Sequence, residues 1–157
     1  MNVTQLDRIY IASWNHSKKL DAEHRRAYFE WRAEHERWKR GELGPNVAEP
    51  KRPPDFYREE SDAARMRFME SEFAAFLERT CSEGGPECIR RQLIPLGFEC
   101  NDAAPVECWA NTVDRYDYYD QYFSRQPEYH AWIVTVARDG AKSPIHVRTI
   151  ILPRTRW

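Results

Sequence analysis

The apolar residues of this chain change their spacing near residue 96, and that change constrains the fold more tightly than any motif does. Before it, rings and aliphatic side chains recur three and four residues apart, the spacing of one helix face. His24, Tyr28, Trp31, His35 and Trp38 form one such stripe, and Met66, Met69, Phe73, Phe76 and Leu77 form another. After it come short runs rich in aromatic and β-branched residues, bounded by turn formers, which is the strand signature. These runs cover residues 98–100, 106–113, 129–137 and 145–152. Helices followed by strands predict an α+β fold, with N-terminal helices packed on one face of a C-terminal antiparallel sheet of about four strands. One domain over residues 1–157 is expected, with a helical half (1–95), a Pro-rich loop (41–54) inside it and a β-rich half (96–157).

Local signals set the expected boundaries. Asp21 precedes the segment 22–40 as an N-cap, because a short carboxylate accepts the free N–H groups of a first turn. Gly41 reads as the stop. Residues 4–14, with Leu6, Ile9, Tyr10, Ile11 and Trp14, predict a separate shorter helix, an edge strand being the alternative. Gly41, Gly44, Pro45, Pro50, Pro53 and Pro54 make residues 41–54 a loop, and proline stiffens it into an extended spacer. A second helix is predicted over 56–81, capped by Asp55 or Ser61, and Pro86 suits the first turn of a third over 86–94. Arg138, Asp139 and Gly140 separate the last two strands as a hairpin turn.

Composition narrows the class. The apolar share is 41% and the charged share 31%, yet six Trp, eight Tyr and seven Phe are more rings than a disordered chain carries. A net charge of −1 excludes a globally basic nucleic-acid binder and a globally acidic nucleic-acid mimic. The first residues lack the basic-then-apolar pattern of a secretory signal, and no run reaches the roughly 18 apolar residues of a membrane helix. A soluble, cytoplasmic protein without a membrane partner is expected.

The small net charge hides a split. From residue 98 to 130 the acids Glu99, Asp102, Glu107, Asp114, Asp117, Asp120 and Glu128 face only Arg115 and Arg125. From 131 to 157 the bases Arg138, Lys142, Arg148, Arg154 and Arg156 face only Asp139. Charges pairing across neighbouring strands explain this one way. A partner surface explains it another way. Asp114, Tyr116, Asp117, Tyr118, Tyr119, Asp120, Tyr122 and Phe123 combine carboxylates with rigid amphipathic rings, the chemistry of a docking surface for a protein with a basic face.

The first long helix offers a second surface. Arg25 and Arg32 lie near Trp31 and Trp38, and cations beside flat rings suit phosphates and unstacked bases. Five acids in the same span make a solvated face with buried Trp rings the competing reading, so nucleic acid ranks below protein as a partner.

Cys81, Cys88, Cys100 and Cys108 fall within 28 residues without any C-x-x-C pair, so zinc-ribbon spacing is absent. Free buried thiols are the first expectation. Disulfides follow, with Cys100 and Cys108 placed to bridge neighbouring strands across a turn. No metal or cofactor is expected. Of the histidines, His130 and His146 each open a strand, at opposite ends of the expected hairpin. Either, with Arg148 near His146, would serve a small phosphodiesterase-like or nuclease-like hydrolase. A lone strand His lacks the converging set that catalysis needs.

The leading expectation is therefore a non-enzymatic protein-binding module acting through the acidic tyrosine surface. Rich in charge and rings and without a catalytic signature, the chain resembles in composition the small inhibitor, immunity and adaptor proteins of bacteria and their mobile elements. A homodimer is compatible with this, since exposed rings can meet their own copies.

Overall fold

The computed structural model of the chain describes residues 4–81, 85–114, 128–136 and 145–152. Three helices and four strands follow one another: α1 (Gln5–Lys39), α2 (Arg58–Thr80), α3 (Gly85–Leu93), a 3-10 turn (Ile94–Leu96), β1 (Glu99–Cys100), β2 (Val106–Asp114), β3 (Glu128–Val136) and β4 (Ile145–Ile151). The strands form one antiparallel sheet in the order β1-β2-β3-β4. The expected α+β architecture is what the chain adopts.

The N-terminal region departs from expectation. One 35-residue helix replaces the two separate elements foreseen there. Thr4 caps it: its hydroxyl accepts the Asp7 backbone N–H at 3.2 Å, and the Asp7 carboxylate accepts the Thr4 N–H at 2.9 Å. This reciprocal box satisfies two of the donors that a helix start leaves free. Residues 15–21 contain neither Gly nor Pro, so nothing interrupts the helix there. Asp21 is not a cap; it pairs with Arg25 one turn further on. Gly41, at φ 74°, ends the helix in the left-handed conformation that a side chain resists.

Neither proposed cap serves α2. The Asp55 carboxylate accepts from the Tyr57 hydroxyl at 2.9 Å and pairs with Arg52 at 3.2 Å, while the Ser61 hydroxyl meets that of Ser17 on α1. Ser17 against Ser61 lies near the start of α2 in the antiparallel α1–α2 pair. The buried residues of α1 are Leu6, Ile9, Tyr10, Ser13 and Ser17, all in its first half. The second half continues past α2 for roughly 27 Å, at 1.5 Å per residue.

The core lies between α1, α2, α3 and one face of the sheet. Met69, Phe73 and Leu77 of the predicted stripe are fully buried, joined by Ile89 and Leu93 of α3 and by Val106, Cys108, Trp132, Val134 and Val136. Phe73 is central: its ring lies 5.4 Å from Trp132 and 6.1 Å from both Phe76 and Phe98. Gly97, at φ 94°, turns the chain from the 3-10 segment into the sheet. Residues of even number on β2 and β3 and of odd number on β4 face the helices. The alternate residues, among them Glu99, Glu107, Trp109, Ile133, His146, Arg148 and Ile150, lie on an open outer face.

Candidate functional site

The β2–β3 ladder pairs nine residues, from Val106 opposite Val136 to Asp114 opposite Glu128. The indole N–H of Trp132 donates to the Thr112 hydroxyl at 2.8 Å, tying the two strands together near that end. The ladder therefore sets Asp114, the first residue of the acidic tyrosine segment, opposite Glu128. Residues 115–127, which include Tyr116, Asp117, Tyr118, Tyr119, Asp120, Tyr122 and Phe123, lie outside the described residues, as does the Asp114 side chain.

The two sheet histidines are divided by distance and by face. His130 pairs with Ile151 at one end of the β3–β4 hairpin, and His146 pairs with Thr135 near the other. His130 is fully buried against the helices, 5.4 Å from the Tyr10 ring and 6.2 Å from Trp132. His146 is exposed on the outer face, with Arg148 two residues along the same strand. The second pair shares a face, but the described residues bring no third group to converge on it, as proton transfer to a bound substrate requires.

The aromatic stripe of α1 is neither core nor open. The chain beyond Gly41 runs back along the helix and straps it. The indole N–H of Trp38 donates to the Val47 carbonyl at 2.9 Å, and that of Trp31 to the Pro50 carbonyl at 3.0 Å. His35 sits between the two indoles, 5.0 and 5.7 Å from their centroids, and meets the Glu49 carboxylate at 2.7 Å. Arg52 lies over Tyr28 and Trp31, and Phe56 lies against His24. Arg25 and Arg32 stay exposed. At about 100° per residue they point roughly 120° and 100° away from Trp31, both to the same side of it. The cations and the rings of the expected nucleic-acid surface thus occupy different sides of the helix.

Two features escaped sequence reading. Arg65 of α2 is fully buried, with its guanidinium 3.6 Å from the centroid of Trp14, 5.6 Å from that of Tyr10 and 3.7 Å from the Asp62 carboxylate. An Arg placed four residues before Met69 and eight before Phe73, inside an apolar stripe, was the available signal. The second feature is the exposed apolar set on the outer sheet face: Trp109, Ile133 and Ile150 are 43%, 44% and 53% exposed. Apolar residues at consecutive positions of β3 and β4, rather than strict alternation, announced it.

The cysteines overturn the first expectation. All four are paired, Cys81 with Cys88 and Cys100 with Cys108, and none is free. Cys100 and Cys108 are direct cross-strand neighbours, so the bond staples β1 to β2. Cys81 and Cys88 tie the end of α2 to α3.

Among the described residues, no three His, Cys, Asp or Glu side chains are grouped to hold a metal ion, and no helix is long and apolar enough to cross a membrane. No family model, curated protein or solved structure matches the chain.

Proposed function

We propose that this chain is a non-enzymatic protein-binding module of inhibitor, immunity or adaptor type. Its docking element is the acidic tyrosine segment 114–123, and its partner is a protein with a basic surface. One observation supports this reading most. The nine-pair β2–β3 ladder places Asp114 opposite Glu128 on a disulfide-stapled sheet, so the chain leaves the sheet at the start of that segment and rejoins it directly across. Segments carried on rigid scaffolds are where binding residues concentrate. Tyr rings bring contact area at little entropy cost, and the carboxylates steer a basic partner toward them. The placement of His130 in the core, away from His146, gives the hydrolytic alternative no comparable support. Two disulfides fit an oxidising compartment better than the cytoplasm, where such bonds are reduced.

Replacing Tyr118, Tyr119 and Tyr122 together by Ala tests the proposal. Affinity capture from the source cells, read by mass spectrometry, is expected to lose its basic partner, while the thermal melt stays within about 2–3 °C of the parent. Unchanged capture, or a melt lowered by about 10 °C or more because those rings belong to the interior, refutes it.

A further inference from the structure

We infer that the outer face of the sheet is a self-association surface, on which two copies stack face to face about a two-fold axis running along the strands between β2 and β3. The register carries the argument. One row crosses all four strands: Glu99 opposite Trp109, Trp109 opposite Ile133, and Ile133 opposite Arg148. An acid stands at one end, a base at the other, and two large apolar side chains between them. All four are exposed.

A two-fold axis in that direction exchanges β1 with β4 and β2 with β3. It lays Glu99 over Arg148 of the second copy and Trp109 over its Ile133, with both contacts repeated by symmetry. The row is therefore self-complementary in charge and in apolarity. The other two-fold in the plane, running across the strands, sets Glu99 over Glu99 and Arg148 over Arg148, which like charges oppose. Neither Glu99 nor Arg148 has an ion-pair partner among the described residues. In the neighbouring rows Glu107 on β2 stands opposite Thr135, and Ile150 on β4 stands opposite Ala131 and adds apolar surface beside Ile133.

The area sets the strength. Three strands of seven to nine residues and the two-residue β1, about 4.8 Å apart and rising about 3.3 Å per residue, give a footprint on the order of 400 Å² per copy. That is roughly half the 800 Å² per partner of a standard interface, so the dimer is weak and depends on concentration. Aligned stacking of two twisted sheets at about 10 Å is a packing that sandwich proteins use throughout.

Sedimentation equilibrium on the full chain from about 1 µM to about 1 mM tests the inference. The parent is expected to pass from monomer to dimer over this range. Arg148→Glu and Glu99→Arg, each alone, are expected to weaken association by roughly tenfold or more, because each sets two like-charge contacts across the axis. The double variant restores the pairing in reversed order, and its dissociation constant is expected to return to within about threefold of the parent. All three changes are at exposed positions, and circular dichroism will show unchanged melts. The inference is overturned by a parent that stays monomeric throughout, as when another segment of this chain or a different protein covers the face. A dimer indifferent to the single reversals, or a double variant as weak as the singles, overturns it equally. It stands apart from the tyrosine segment: the Tyr118, Tyr119 and Tyr122 triple variant is expected to dimerise like the parent.

Discussion

Removing the two disulfides is the most direct test of what holds this small fold together. The bonds close loops with sequence separations of 7 and 8. Loop-closure entropy at those lengths gives about 2.4 and about 2.5 kcal/mol, so about 5 kcal/mol for both. For a chain of this size about 2–4 °C accompanies each kcal/mol, and the two losses together lower the melt by roughly 10–20 °C. Alanine pairs at 81 and 88, and at 100 and 108, keep the buried sites apolar and separate the two contributions. Melting is followed by circular dichroism. Alkylation of unreduced, unfolded protein, read by mass, counts free thiols and is expected to find none. Cys108 is fully buried, and Cys81 and Cys88 are nearly so. A reductant added to the folded protein therefore reaches the Cys81–Cys88 bond only as fast as the fold opens, while the half-buried Cys100 leaves its bond easier to attack, and reduction of the first is expected to become rapid in denaturant. Four reactive thiols in protein made under oxidising conditions, or alanine pairs that both melt within about 2 °C of the parent, would refute the reasoning.

Arg65→Ala leaves Asp62 without its buried partner and opens space against Trp14 and Tyr10, and is expected to cost about 3–5 kcal/mol in denaturant unfolding. Arg65→Met, which keeps the stem and drops the charge, is expected to cost clearly less; equal losses would contradict a contribution from packing of the stem. Trp31→Phe deletes one indole bond to the strap, and its effect on global stability is expected to be about 1 kcal/mol. Trypsin cleavage after Lys51 is expected to quicken, and a strap as resistant as before would show the bond to be idle. The neighbouring Asp55 accepts the Tyr57 hydroxyl and repels its anion, holding that phenol above its ordinary pKa of 10.0. The neutral phenol is the favoured form, so this contribution is present below pH 10 and disappears as pH rises through the elevated value. Asp55→Asn is expected to move the Tyr57 resonance titration downward in carbon-detected NMR, and no movement would discard the assigned cause.

Most of the architecture was readable because periodicity reports which face is buried. The stripe of Met69, Phe73 and Leu77 found its core, and the four strands stand within one or two residues of their expected bounds. The long helix was misread because Asp21 carries a cap signature, and capping chemistry cannot distinguish a helix start from an i, i+4 ion pair with Arg25. The fate of the ring stripe was illegible for a different reason. Helical spacing tells that Trp31 and Trp38 share a side, but not whether a sheet, a ligand or a proline-rich return covers it. Arg65 was invisible because burial of a cation depends on rings contributed by another helix. The cysteines were misjudged because compartment was inferred from the start of the chain, whereas the Cys100–Cys108 register itself favours the bond.

The strap also makes the arm of α1 a matched pair of rulers. Trp38 to Trp31 is seven helical residues, about 10.5 Å, and it is spanned by the three steps from Val47 to Pro50, about 9.3 Å at the rise of an extended proline-rich chain. Adding one residue to the helix rotates everything beyond it by about 100° and swings an indole away from its carbonyl. The arm can therefore be lengthened or shortened only in coupled increments, near a heptad of helix for every three residues of strap. Anyone grafting or resizing this projection has to edit both segments together.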